Sequence, residues 1–259
     1  MLRLPDWIPP SSPPTRFLNP HMSSDSVVPR SPANLQAIGL PQASPSLYEQ
    51  VYAAILEAIC GGTLRPGDRI NQDELAARMN VSRQPVTQAL TVLRTQDFVQ
   101  ETGRRGLVVT PLRKSFFKSL YELRESLDPM AAKLAAQNSS CLSQVEADAL
   151  LARGRMAVLE GSVAALTHAD VAFHMWIYES AGNPLLTETL RLYWHHLRRA
   201  MVAVVEPTQG RDQVWDEHAQ ILQAILRGDA AKAESLSLRH IQHAARRVMQ
   251  KLPDTAAGA

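Results

Sequence analysis

Two short amphipathic segments, Gln72 to Met79 and Arg83 to Thr95, stand only three residues apart, and that spacing admits few folds. In the first, Leu75, Ala76 and Met79 fall at i, i+1 and i+4 and make one apolar face, leaving Gln72, Asp73 and Arg78 outside. Asn71 is placed to cap this helix, and Glu74 to reach back to the cap's N–H. Asn80 is suited to end it, because Asn tolerates the left-handed backbone that closes a helix. Ser82 is expected to cap the second segment, with Pro85 in its first turn, where a missing N–H does little harm. Val86, Leu90 and Leu93 supply the buried stripe, while Arg83, Gln84, Thr87, Gln88, Thr91 and Arg94 form the other face. No acid occurs from Ser82 to Thr95. The pattern is that of a helix-turn-helix.

A helix with cations and amides on the exposed side of its N-terminal half suits the major groove, where its positive end meets phosphate and short polar side chains reach base edges. The same pattern also fits a solvated helix in an ordinary bundle. The residues that follow favour the first reading. Phe98 to Thr102 alternates as a strand, Gly103-Arg104-Arg105-Gly106 is a basic turn, and Leu107 to Thr110 returns as a second strand ended by Pro111. A β-ribbon with arginines at its tip is a wing. Upstream, Leu47, Val51, Ile55 and Ile59 recur every fourth residue, giving the third helix of a small winged domain over residues 47–112. The candidate DNA-contacting residues are Ser82, Arg83, Gln84, Thr87 and Gln88 on the second helix, with Arg104 and Arg105 at the wing tip.

Residues 47–112 resemble the winged helix-turn-helix of GntR-type bacterial regulators. Leu64-Arg65-Pro66-Gly67-Asp68-Arg69-Ile70, Asp73-Glu74-Leu75-Ala76, Val81-Ser82-Arg83-Gln84-Pro85-Val86 and Ala89-Leu90 carry the likeness. The resemblance implies a DNA-binding transcription regulator. Three positions depart from it. The family usually has arginine at the position of Thr87 and often at that of Asp73, both of which tend to contact DNA in relatives, so the family's common operator is not to be assumed. Asp97 stands where relatives place glycine at the turn into the wing, and Asp tolerates that backbone better than most residues.

Bulk charge does not itself argue for nucleic acid: the net charge is +2 over 259 residues. Residues 47–112 are also balanced, with seven arginines against seven acids, so the case for DNA rests on where the arginines sit. Hydrophobic content of 45% with only 5% aromatic residues points to a largely helical protein. Cys60 and Cys141 fall in different domains and in no CxxC pair, which fits packing roles in a reducing cytoplasm. No run of about 18 apolar residues occurs, so no membrane span is expected. Met1 to Pro10 lacks the continuous apolar core of a signal peptide. Residues 1–46 hold ten of the 17 prolines and much serine, the composition of a disordered arm. Residues 251–259 are expected to be a flexible tail.

Beyond Pro111 the pattern is helical, with helices expected at 113–137, 143–159, 163–181, 184–204, 210–226 and 229–250, an all-α six-helix bundle. Pro129 is expected to break or kink the first, and Asn183-Pro184 to start the fourth. The fold class is therefore mainly α, a winged helix-turn-helix followed by a bundle. Asp170 and His174 stand at i and i+4 on one face of the third bundle helix. His218 and His240 fall on the apolar stripes of the fifth and sixth. One carboxylate and three imidazoles suit a divalent transition metal such as zinc, nickel, cobalt or manganese, with positions left for water or a carboxylate ligand. Spacing does not show that the three helices converge, and a single helical histidine is more commonly a packed or surface residue. Of the adjacent pair His195 and His196, one is expected packed and the other exposed, because neighbours on a helix diverge by about 100°.

Residues 113–250 resemble the FCD ligand-binding domain of the FadR-type branch of these regulators. Tyr121-Glu122-Leu123-Arg124, Ala131-Ala132-Lys133-Leu134-Ala135, Asp170-x-x-Phe173-His174, Ser180-Ala181-Gly182-Asn183, Glu217-His218, Gly228-Asp229 and Arg239-His240 carry this likeness, and six helices match the VanR-like subgroup. The resemblance implies that Asp170, His174, His218 and His240 bind a metal whose coordination a small organic acid completes. It also makes Arg124 a candidate for holding the effector's carboxylate, with a surface salt bridge as the alternative. Together these features point to a cytoplasmic homodimeric repressor that binds a pseudo-palindromic operator and answers to a small carboxylate. The rival is an all-α metalloenzyme in which the same four residues activate water.

Overall fold

The computed structural model describes residues 45–103, 106–204 and 211–252. Nearly all of the expected arm, the arginines Arg104 and Arg105, and most of the expected tail lie outside the described residues. The first helix, α1 (Leu47–Cys60), starts with a reciprocal cap in which the Ser46 hydroxyl accepts from the Glu49 N–H and the Glu49 carboxylate accepts from the Ser46 N–H. Val51, Ile55 and Ile59 of its stripe are buried, but Leu47, expected with them, is exposed in the first turn. Helix α2 (Gln72–Met79) is capped by Asn71, whose side chain accepts from the N–H groups of Asp73 and Glu74, and ends at Asn80 in the left-handed region (φ 52°). Glu74 does not close a capping box there; its carboxylate meets Arg78, 2.8 Å away, one turn on.

Helix α3 (Arg83–Thr95) buries Val86, Leu90 and Leu93 against α1. Ser82 holds its N-cap position without a side-chain cap bond, and the N3 residue, Pro85, has no N–H to offer it. The chain leaves α3 through Asp97 at φ 61°, the conformation for which a carboxamide or carboxylate side chain is the next best to none. The Asp97 carboxylate is paired with Arg113. Strands β2 (Val99–Glu101) and β3 (Leu107–Val109) form the expected antiparallel ribbon, with Val99 opposite Val109 and Glu101 opposite Leu107. A two-residue strand not foreseen in the sequence, β1 (Arg69–Ile70), joins the other edge of β3.

Six further helices follow: α4 (Lys114–Gln137), α5 (Gln144–Glu160), α6 (Val163–Ser180), α7 (Pro184–Val204), α8 (Arg211–Leu226) and α9 (Ala230–Lys251). Each end falls within one residue of the expected one. Pro129 does not break α4, which runs unbroken to Gln137. The cost of one missing intrahelical bond, about 3 kcal/mol, is met by packing, since α4 lies along α9 over much of its length and Pro129 itself is buried. None of the described helices is long and apolar enough to cross a membrane.

Helix α5 seats Ala147, Leu150, Gly154 and Ala157 inward. Gly154 is obligatory, since a Cβ there would stand 2.1 Å from a ring carbon of Trp215 on α8.

Helix α7 joins the bundle to the winged head. The His196 ring stacks on Phe98 (centroids 4.0 Å apart, planes 6° apart), and its Nε2 lies 3.0 Å from the Gln96 carbonyl oxygen. Arg198 makes a two-pronged pair with Glu57 at 2.8 and 2.9 Å, Arg199 donates to the Thr110 carbonyl, and the Cys60 thiol donates to the His195 carbonyl at 3.3 Å. Neither histidine of the pair is exposed, contrary to expectation, because the head covers the side of α7 that the bundle leaves open.

Candidate functional site

On the head, Ser82, Arg83, Gln84, Thr87 and Gln88 are all exposed on one side of α3, uncovered by the described residues of the bundle. Two of the three departures from the family pattern lie here. Asp73, at the start of α2, lies 3.3 Å from the Arg83 guanidinium, and the Thr87 hydroxyl donates to the Gln72 side chain at 3.0 Å. Both pairs are solvent-exposed, so each is worth little against a competing phosphate or base edge.

In the bundle, α6, α8 and α9 bring His174, His218 and His240 together, with one ring nitrogen of each within 4.8 Å of the others, all three rings buried. The Nε2 atoms of His218 and His240 are 3.3 Å apart. Two nitrogens bound to one ion at ordinary zinc distances and the tetrahedral angle would be separated by about 3.3 Å. Asp170 stands one turn before His174 on α6 and puts a carboxylate oxygen 3.5 Å from His218 Nε2. Three imidazoles within reach of one another, with the Asp170 carboxylate beside one of them, form a donor set that fits a divalent transition ion.

Two of the three rings are held in the state that coordination requires. Burial, reinforced by Arg124, pushes the pKa of His174 well below the usual imidazole range. Burial, reinforced by His240, does the same to His218. Both rings are therefore neutral near pH 7. Burial raises the pKa of Asp170, an effect that His240 and Arg124 oppose. His218 is fixed by Phe173, stacked at 3.7 Å, and by the edge of Trp215.

Glu217 completes the arrangement and was not singled out from the sequence. Its Oε2 is 2.8 Å from His240 Nδ1 and its Oε1 2.6 Å from His243 Nδ1. Burial alone would raise its pKa, but the bonds to His240 and His243 and the charge of Arg247 outweigh that and hold it at about 2. An ionised carboxylate only accepts, so His240 donates to it from Nδ1 and turns Nε2 toward the cluster, the orientation a metal ligand needs.

Beside the cluster lies a cavity of about 460 Å³, walled by Asp170, His174 and His240 on one side and by Arg124, Trp194 and Arg247 on others. Arg124 is not in a surface salt bridge but is buried, with Nη2 2.7 Å and Nε 3.1 Å from the same oxygen of Asp128. Its guanidinium lies over the rings of Trp194 (4.7 Å) and Tyr121 (5.5 Å). Burial would lower its pKa, and Asp128 more than restores it. Asp128, like Glu217, was missed. Its i, i+4 spacing from Arg124 is visible in the sequence, but not that both face inward.

The comparisons with known proteins follow the same division. Residues 47–109 match the family model for bacterial regulatory proteins of the gntR family, and residues 119–243 match the FCD domain model. The Nta operon transcriptional regulator of Aminobacter aminovorans is 31% identical over 179 residues, covering 69% of this chain and 83% of that protein. The HTH-type transcriptional regulator LutR of Bacillus subtilis is 28% identical over 210 residues, covering 71% and 92%. Among solved structures, Escherichia coli McbR/YncC superposes with a TM-score of 0.71 at 21% identity over 80% of this chain and 99% of that one. A transcriptional regulator from Rhodococcus sp. RHA1 gives 0.70 at 19% identity over 78% and 97%. At these identities the two structures speak for the fold.

Proposed function

From its membership of the GntR family of bacterial transcriptional regulators, in the FadR-type branch that carries an FCD domain, we propose that this chain is a metabolite-responsive repressor switched by a small carboxylate at a metal centre. As a member of that family it is a DNA-binding regulator and not an enzyme, which sets the metalloenzyme reading aside. The finer reading is carried by one observation: a buried three-histidine cluster shares a cavity with a buried arginine.

In this reading Asp170, His174, His218 and His240 hold a zinc, nickel, cobalt or manganese ion, with Glu217 orienting His240. The ion supplies a positive centre with room for an outside oxygen ligand. Arg124 takes a second oxygen of the same organic acid, sharing or exchanging the carboxylate that Asp128 now provides; its planar fork suits such a two-point contact. Trp194 lies against both Arg124 and His174, and the next residues of α7 grip the head. An acid that shifts Trp194 therefore shifts His196, Arg198 and Arg199 with it. The effector can act only through different affinities for two placements of the heads. Two heads in a symmetric dimer fit a pseudo-palindromic operator in the cytoplasm, with Arg83, Gln84, Thr87 and Gln88 at the base edges, Ser82 at the backbone and Arg104 and Arg105 at the wing.

The test is elemental analysis of the purified protein beside its His174→Ala/His218→Ala double variant, followed by gel shifts with and without dicarboxylates. We expect close to one ion per chain in the wild type, none in the variant, and acid-dependent release of operator by the wild type alone. Equal metal content in the two proteins would remove the site.

A further inference from the structure

Helix α5 is apolar on two opposite sides. Its inner residues, Ala147, Leu150, Gly154 and Ala157, pack on the bundle. Its outer side carries Val145, Ala149, Ala152, Met156 and Leu159, spaced alternately four and three residues apart. At about 100° per residue the two sets lie about 160° apart around the axis. All five outer residues are exposed, and the large ones markedly: Val145 at 78%, Met156 at 54% and Leu159 at 80%. A solvated helix face has no need of a 4-3-4-3 apolar seam, which is the spacing with which one helix buries itself against another.

The charges beside the seam indicate what covers it. On one flank stand Glu146 and Arg153, on the other Asp148 and Arg155, all exposed. Each flank thus carries its acid in the N-terminal half and its arginine seven residues later. When two copies of such a helix run antiparallel, each flank meets the same flank of the other copy, so acid faces arginine at four places. The seam closes in the same register: Val145 meets Met156 of the second copy and Ala149 meets Ala152. The small central pair lets the axes approach closely, and opposed helix dipoles add a favourable term. Arg155 is also held by Asp216 at 3.0 Å, which fixes it at the rim.

We infer that the outer stripe of α5 is the surface on which a second copy of this chain docks, antiparallel and about a two-fold axis near Leu150 and Leu151. This rests on the dimeric reading above and names the face that makes the dimer.

The experiment is the mass of the full chain by light scattering at micromolar concentration. Wild type is expected at twice the monomer mass of 28.6 kDa. Met156→Glu/Leu159→Glu, both at exposed positions, is expected at the monomer mass with unchanged helical circular dichroism. Arg153→Glu should weaken the dimer, and adding Glu146→Arg should restore it. A monomeric wild type would overturn the dimeric reading itself. A dimeric wild type whose Met156→Glu/Leu159→Glu variant stays dimeric would overturn this surface alone, and restoration of Arg153→Glu by Asp148→Arg instead of Glu146→Arg would overturn the antiparallel order.

Discussion

Glu217 acts through His240: its carboxylate accepts a hydrogen bond from Nδ1 at 2.8 Å and so leaves Nε2 facing the cluster. Glu217→Gln keeps the shape but removes the charge that fixes that proton. Loss of such an orienting partner costs roughly 10–100-fold in metal affinity. Competition with a chromophoric chelator should read that loss, and an unchanged affinity would detach Glu217 from the site. His196 gives a prediction in pH. Burial, with Arg199 beside it, pushes its pKa down to about 3. The unfolded chain takes that proton near pH 6.5, so between there and about 3 the unfolded state holds more protons and stability falls as pH falls. His196→Phe retains a ring for Phe98 to stack on and removes the titration. Between pH 7 and pH 5 the stability difference should move by about 2 kcal/mol in favour of the variant, read by urea denaturation. A constant difference would place His196 in solvent. Neither role could be read from the sequence, because both depend on a partner on another helix.

Helix boundaries were legible where a periodic apolar stripe ended at a residue with a mechanical reason to stop: Asn80, Asn183 and Gly228 are such residues, and the structure turns at each. Strand β1 was not, since two residues carry no periodicity. Pro129 carries the local cost of a helix break, and the packing of α9 along α4, which no local pattern shows, offsets it. Helix α5 makes the same point about packing. Alanine has a helix propensity about 1 kcal/mol better than glycine, so Gly154 looks like a weak point. Its closeness to Trp215 reverses that expectation. Gly154→Ala should destabilise the protein by about 1–3 kcal/mol in chemical denaturation, because the ring has to move. A more stable variant would mean that α5 is not seated on Trp215. The four candidate ligands were legible as residue types; that His174, His218 and His240 meet at one point was a property of three helices at once.

In the whole molecule, the winged head and the histidine-lined cavity are joined through α7 as well as through α4, which follows the head directly and carries Arg124 to the cavity. α7 presents Trp194 to the cavity, while His196, Arg198 and Arg199 hold Phe98, Glu57 and Thr110 of the head. All of this has regulatory meaning only if α3 enters duplex DNA. The arginine at its first turn is 64% exposed and pairs at the surface with Asp73, so its removal should leave the fold intact. The decisive measurement is a fluorescence-anisotropy titration at low salt of the wild type and Arg83→Ala against DNA from upstream of the protein's own gene. A lost base or phosphate contact of this kind is worth about 1–3 kcal/mol, so affinity should fall roughly 10-fold or more while the melting temperature stays unchanged. An affinity within about twofold of wild type, or a wild type that ignores DNA altogether, would contradict it.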